Sequence, residues 1–246
     1  ATAIRDAALQ TEGAAGPSGI DACGWRRMCT SFQSSSNELC HSLALLARRL
    51  CTTFVDPKGL APLLACRLVA LDKNPGVRPI GIGEAARRII AKAILNVTRE
   101  DIQQAAGSLQ LCAGQMAGAE AAIHGMNLAF HDQGSDAVLL VDAINAFNLL
   151  NRQAALHNIR YLCPSIATVI INTYREPTDL FVDGNSILSQ EGTTQGDPLA
   201  MPMYALAILP LIHVRHIADN VQQAWYADDA TATGSLKNLR TWWDKL

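Results

Sequence analysis

The chain has 246 residues, 49% hydrophobic and 17% charged, which is long and apolar enough to bury a sizeable core and excludes a disordered tract. No apolar run reaches the roughly 18 residues of a membrane span, and the opening lacks the basic and apolar regions of a secretory signal. The net charge of −2 hides an asymmetry: residues 1–100 carry 13 Lys/Arg against 8 Asp/Glu, and residues 101–246 carry 7 against 14.

A basic half suited to phosphates and an acidic half suited to cations is one reading of that division; uneven solvated faces are the other. The seven cysteines, at 23, 29, 40, 51, 66, 112 and 163, are odd in number and form no CxxC pair. Reduced thiols in an intracellular protein, nuclear or cytoplasmic, are therefore expected rather than a zinc or disulfide frame. His213 and His216 stand three apart without a third ligand and read as ordinary helix residues. The chain begins without Met, as a piece excised from something longer does.

Residues 1–20, rich in Ala, Gly and Thr, read as a poorly ordered opening. In "SSNELCHSLALLARRLCTTF", Ser35 and Glu38 fit a capping box, and Leu39, Leu43, Leu46 and Leu50 share a helical face. "VDPKGLAP" breaks that helix. "ACRLVALDKNPGVRPIGIG" predicts two strands around an Asn-Pro-Gly turn. "EAARRIIAKAILNVT" and "AGAEAAIHGMNLAFH" predict helices. "DAVLLVDAINAF" predicts a strand, buried over Val138–Val141, that ends on Asp142. "NRQAALHNIRYL" predicts a helix capped by Asn151, and "TDLFVDGNSILSQ" a hairpin on an Asp-Gly turn. "DPLAMPMYALAILPLIHVRHI" is an apolar helix that Pro210 kinks or ends. "AWYADD" predicts a strand reaching Asp228 and Asp229, and "LKNLRTWWDKL" a last helix. The mixed order of helices and hairpins predicts an α+β fold.

Two adjacent aspartates at a strand end are most simply a solvated turn. Here Trp225, Tyr226 and the small residues after the pair make a poor surface loop, and Asp142 ends a second apolar strand. Were the two strands neighbours, the carboxylates would converge. Such a cluster calls for a hard cation, and all-oxygen ligands suit Mg²⁺ or Mn²⁺. By strand alternation Asp228 shares the face of Tyr226 and Asp229 that of Ala227, but at the mouth of a turn the backbone can rotate both carboxylates toward one point.

Six segments in order then resemble the motifs of one family. They are "GPSGID" at 16–21, "GVRPIGIG" at 76–83, "GQMAGAEAAIHGM" at 114–126, "LLVDAINAFN" at 139–148, "EGTTQGDPLAMPMYALA" at 191–207 and "WYADDA" at 225–230. Together they resemble the reverse transcriptases of the right-hand polymerase superfamily. The likeness is to the group II intron and non-LTR retrotransposon branch, where YADD is the usual form, more than to retroviral enzymes. It implies fingers over 21–110 and an incomplete, ferredoxin-like palm over 111–246, with a fingers-type hairpin at about 177–190.

The resemblance also implies roles. Asp142 and Asp228 would be the principal ligands of two Mg²⁺ ions (or Mn²⁺), with the Ala143 carbonyl completing one site and Asp229 in the same cluster. Phe147 would be the steric gate that rejects a ribose 2′-hydroxyl, making dNTPs the substrates. Gln195 and Gly196 would lie against the incoming nucleotide. Arg78, with Lys73 the weaker candidate, would reach the triphosphate. The pair Arg87–Arg88 would meet the template backbone or form a solvated basic face. The implied partners are an RNA template, a DNA primer and dNTPs, with no membrane. The chain stops 17 residues after Asp229, so the primer grip, the thumb and any nuclease segment are expected beyond it. An RNA-dependent RNA polymerase of the same superfamily and a non-catalytic nucleic-acid-binding relative are the alternatives; Phe147 argues against the first and the intact aspartates against the second.

Overall fold

Apolar spacing at positions 4, 7 and 8 makes the opening a helix. In the computed structural model, which describes residues 1–131, 135–218 and 221–246 and no side chains over 215–218, α1 spans Thr2–Gln10 and buries Ile4, Ala7 and Ala8. The expectation of a poorly ordered opening is therefore corrected. Its low charge reflects burial against the helix Ala85–Val97, not disorder. The following segment is pinned by side chains of that same helix: Arg88 donates to the carbonyls of Glu12 and Ala14, and Lys92 to that of Gln10. His216 lies outside the described side chains.

Helix α2, Ala22–Thr30, is capped by Asp21, whose carboxylate accepts the Gly24 N–H. Helix α3, Gln33–Thr52, starts before the predicted capping box. Ser36 instead turns inward, accepting the Phe32 N–H and donating to the Met28 carbonyl. Its buried face runs through Ser36, Cys40, Leu43, Ala47 and Leu50. "VDPKGLAP" does end α3, but it then forms its own helix, α4 (Pro57–Leu64), because Asp56 caps it and Pro57 occupies the first turn.

Strands β1 (Cys66–Asp72) and β2 (Val77–Gly83) form the predicted antiparallel pair, from Cys66↔Gly83 to Asp72↔Val77. Helices α5 (Ala85–Val97), α6 (Arg99–Ala106) and α7 (Gly118–Phe130) lead to β3, Ala137–Asp142. After the short α8 (Ala146–Leu149) come α9 (Arg152–Leu162), capped by Asn151 as predicted, and α10 (Pro164–Tyr174). Strands β4 (Thr178–Val182) and β5 (Asn185–Ser189) turn on Asp183 and Gly184, both at positive φ, as a two-residue hairpin demands. The apolar segment after them breaks at Ile208 into α11 (Ala200–Ala207) and α12 (Leu209–Ala218), since Pro210 has no N–H to continue the ladder. Strands β6 (Gln222–Tyr226) and β7 (Asp229–Gly234) and helix α13 (Leu236–Asp244) complete the chain.

The result is a mixed α+β architecture with two small sheets. One sheet is ordered β2-β1-β4-β5, joined in the middle by a two-residue parallel contact, Cys66↔Leu180 and Arg67↔Phe181. The other is ordered β3-β7-β6 and wholly antiparallel. The main apolar core reaches from Ile4 to Trp242 and passes through Ala106 and Ala113 without interruption. The run Val138–Val141 is not buried throughout: Val138 and Leu140 are 43% and 74% exposed, because β3 is an edge strand with one face uncovered. Among the described residues no helix is long and apolar enough to cross a membrane.

Candidate active site

Strand β3 lies beside β7 with Asp142 directly opposite Asp229, and Asp229 is in turn opposite Tyr226 of β6. Residues paired across an antiparallel ladder project to the same face, so Asp142, Asp229 and Tyr226 share one side of the sheet. Simple alternation thus gives way to the backbone rotation that a turn mouth allows. The strand ends at Tyr226, and the Ala227–Asp228 turn, with Ala227 at φ +54°, resets the parity before Asp229. Asp228 sits on the turn itself and is partly buried.

A cleft of about 440 Å³ opens beside this turn. Its walls include Lys73, Arg78, Asp142, Ala143, Phe147, Gln195, Gly196 and Asp228, brought together from segments up to 155 positions apart. Asp229 does not line it, although it faces Asp142 across the ladder. Arg78 and Lys73 stand exposed at the turn end of the β1–β2 hairpin. The Phe147 ring stacks on Tyr204, centroids 4.6 Å apart and planes 26° apart, over a small cluster of Ala146 and Ala227. The Gln195–Gly196 loop is tied to β2, where Gly81 N–H donates to the Gln195 carbonyl at 2.8 Å. A Cβ on Gly81 would stand 2.3 Å from Thr194 Cγ2, and one on Gly196 (φ +107°) 2.6 Å from Gly81 O, so neither position has room for a side chain.

Three groups whose part in the site the sequence did not foretell hold these walls in place. Arg152, 5% exposed, donates to the carbonyls of Ser189, Glu191 and Gly192 at 2.9–3.0 Å. The loop it fixes carries Thr193, whose N–H donates to Phe147 O at 2.7 Å. Arg87 and Asp197 form a buried ion pair at 2.5 Å, and the Tyr174 hydroxyl donates to the same carboxylate oxygen. Gln110, fully buried, bonds both polar groups of the Ala227 backbone. The expectation that Arg87 and Arg88 meet a template or solvent is thus overturned, since Arg87 is buried against Asp197 and Arg88 holds the N-terminal segment. The sequence signal for Arg87 and Gln110 was a polar side chain set in an apolar run, which must find a partner when buried, and Arg152 carried no such signal.

Carboxylates dominate the electrostatics of the cleft. Partial burial holds the Asp228 carboxyl above the usual range, and the charges of Asp229 and Asp142 add to that while Arg78 opposes it. Burial and the Asp228 charge also push the Tyr204 phenol up to about 12. Among the described residues no three His, Cys, Asp or Glu side chains converge as a ready-made metal cage. Of the three aspartates that line the cleft, Asp197 is held by Arg87, while Asp142 and Asp228, with the adjacent Ala143 carbonyl, nevertheless fit Mg²⁺. That ion takes one or two protein carboxylates and completes its octahedron with water and phosphate oxygens. No known protein family matches the chain, and no curated protein matches it.

Proposed function

We propose that the chain carries the fingers and palm of an RNA-directed DNA polymerase, which adds dNTPs to a primer 3′-hydroxyl along an RNA template. The observation that carries the reading is the cleft itself, which Asp142 and Asp228 line together with the exposed cations Lys73 and Arg78 and the stacked Phe147 ring. In this reading the sheet β2-β1-β4-β5 belongs to the fingers and the sheet β3-β7-β6 to the palm.

Asp142, Asp228 and the Ala143 carbonyl would hold Mg²⁺ (or Mn²⁺), with Asp229 reinforcing the negative field from across the ladder. Bound there, the metal supplies Lewis acidity and charge neutralisation for phosphoryl transfer. Arg78 and Lys73, on a hairpin opposite the carboxylates, neutralise and orient the triphosphate. Phe147, braced by Tyr204, fills the space beside the sugar and excludes a 2′-hydroxyl. Gly196 leaves the backbone bare where a nucleotide approaches, and Gln195 borders the same face. The cleft arrangement therefore accounts for cation, phosphate and sugar recognition with separate residues.

Primer extension on an RNA template by protein from the full reading frame tests this, with Asp228→Asn as the control. Mg²⁺-dependent extension by the unaltered protein alone is expected. Equal extension by both proteins would sink the mechanism, and primer–template binding without extension would favour a non-catalytic binding protein.

A further inference from the structure

Gln110 lies 117 positions before Ala227 and has no exposed surface. Its carboxamide meets one residue twice: Nε2 donates to the Ala227 carbonyl at 3.2 Å, and Oε1 accepts the Ala227 N–H at 2.9 Å. Ala227 opens the turn between β6 and β7 and holds a left-handed φ of +54°, a conformation that side-chain-bearing residues avoid. It is also 4% exposed, so solvent does not satisfy its N–H and C=O. The backbone around Gln110 sets the approach. Trp225 N–H donates to Leu109 O at 2.7 Å, and Leu111 N–H donates to Trp225 O at 2.8 Å. Residues 109–111 thus run beside β6 and deliver the Gln110 side chain to the turn beyond it.

We propose that Gln110 is the positioning residue for Asp228. By holding Ala227 left-handed, it keeps the carboxylate of the next residue on the cleft that Asp142 also lines. The inference rests on the metal-binding reading of that cleft given above. Only a primary amide of this length does the task. Asparagine is one methylene short, methionine offers neither bond, and an ionised glutamate sets a second acceptor against the Ala227 carbonyl.

Gln110→Met keeps the side-chain volume and removes both hydrogen bonds. Amide exchange by NMR is expected to accelerate at Ala227 while Trp225 stays protected. Mn²⁺ titration followed by electron paramagnetic resonance is expected to show an affinity loss of roughly tenfold, the size typical of groups that orient metal ligands. Leu43→Ala, a cavity in the remote face of α3, serves as the stability control and is expected to leave Mn²⁺ affinity unchanged. Gln110→Asn gives the same readout if the methionine variant does not fold. Faster Ala227 exchange with undiminished Mn²⁺ affinity overturns the positioning role, and so does an equal affinity loss in Leu43→Ala. Unchanged Ala227 exchange removes the clamp itself. Failure of the unaltered chain to bind Mn²⁺ sinks the polymerase reading instead, and this inference with it.

Discussion

Asp142 and Asp229 face each other directly across the β3–β7 ladder, like charges in positions where sheets ordinarily place attractive pairs. The arrangement costs stability unless a cation is present. Asp229→Asn is therefore expected to raise the stability of the metal-free chain by about 0.5 kcal/mol, or ~1–2 °C in Tm. Millimolar Mg²⁺ is expected to stabilise the unaltered chain and to leave Asp142→Asn where it was. Thermal unfolding with and without Mg²⁺ reads both, and an unaltered chain indifferent to Mg²⁺ would remove the cation from the account.

The Arg87–Asp197–Tyr174 group is the second place where charge decides stability. Removing one member of a buried ion pair strands the other, at about 3–5 kcal/mol. Arg87→Met is expected to fall in that range by urea unfolding. Tyr174→Phe, which loses one hydrogen bond to a charged group, should cost about 2 kcal/mol. The double variant Arg87→Met/Asp197→Asn should recover much of the single-variant loss, since no stranded charge remains. A double variant as unstable as the sum of its parts would count against this.

In the proposed polymerase reading, sugar choice would fall to Phe147, whose ring stacks on Tyr204. Phe147→Ala is expected to raise rNTP use relative to dNTP at least tenfold, equivalent to about 1.4 kcal/mol of lost discrimination. Tyr204→Leu, which leaves the gate ring present but unbraced, should give a smaller rise. Competition between dNTP and rNTP in single-nucleotide extension measures both, and an unchanged ratio in Phe147→Ala would remove its gate role.

A pH dependence follows from Cys29. Burial, reinforced by the neighbouring Cys40 thiol, pushes its pKa from the ordinary 9.0 up to about 12. A raised acid pKa means that the folded state prefers the protonated thiol. Its contribution is complete below pH 9 and is lost as pH climbs towards 12. The gap between the unaltered chain and Cys29→Ala in urea midpoint should hence narrow between pH 8 and pH 10.5. Cys112, pushed up to about 11 chiefly by burial, should resist alkylation at pH 8, while exposed Cys23 reacts.

The sequence made most elements legible wherever local chemistry decides them: the Asp183–Gly184 turn, the Asn151 cap, the break at Pro210. It also pointed to the residues that share the cleft, because Asp142, Phe147, Gln195 and Asp228 sit in motif-like settings. What it hid was partnership over distance. Arg87 and Asp197 are 110 positions apart and Gln110 and Ala227 117, and no periodicity links them. Simple alternation held only as far as the Ala227–Asp228 turn, where the backbone rotates. One error was local. The opening ten residues were judged by composition, although Ile4, Ala7 and Ala8 already had helical spacing.

The Gly81 carbonyl occupies the space a side chain at 196 would need, and Thr194 occupies the space a side chain at 81 would need. In terms of sequence variation, the two positions are closed for different reasons, one by a side chain and the other by main chain. Alanine at 196 collides with the Gly81 backbone, which cannot be trimmed away, and alanine at 81 meets Thr194 Cγ2. A saturation library should accordingly show both glycines intolerant. Position 81 alone should open when Thr194 is reduced to Ser or Ala, while position 196 should stay closed in every background, because its obstacle is main chain that no substitution removes.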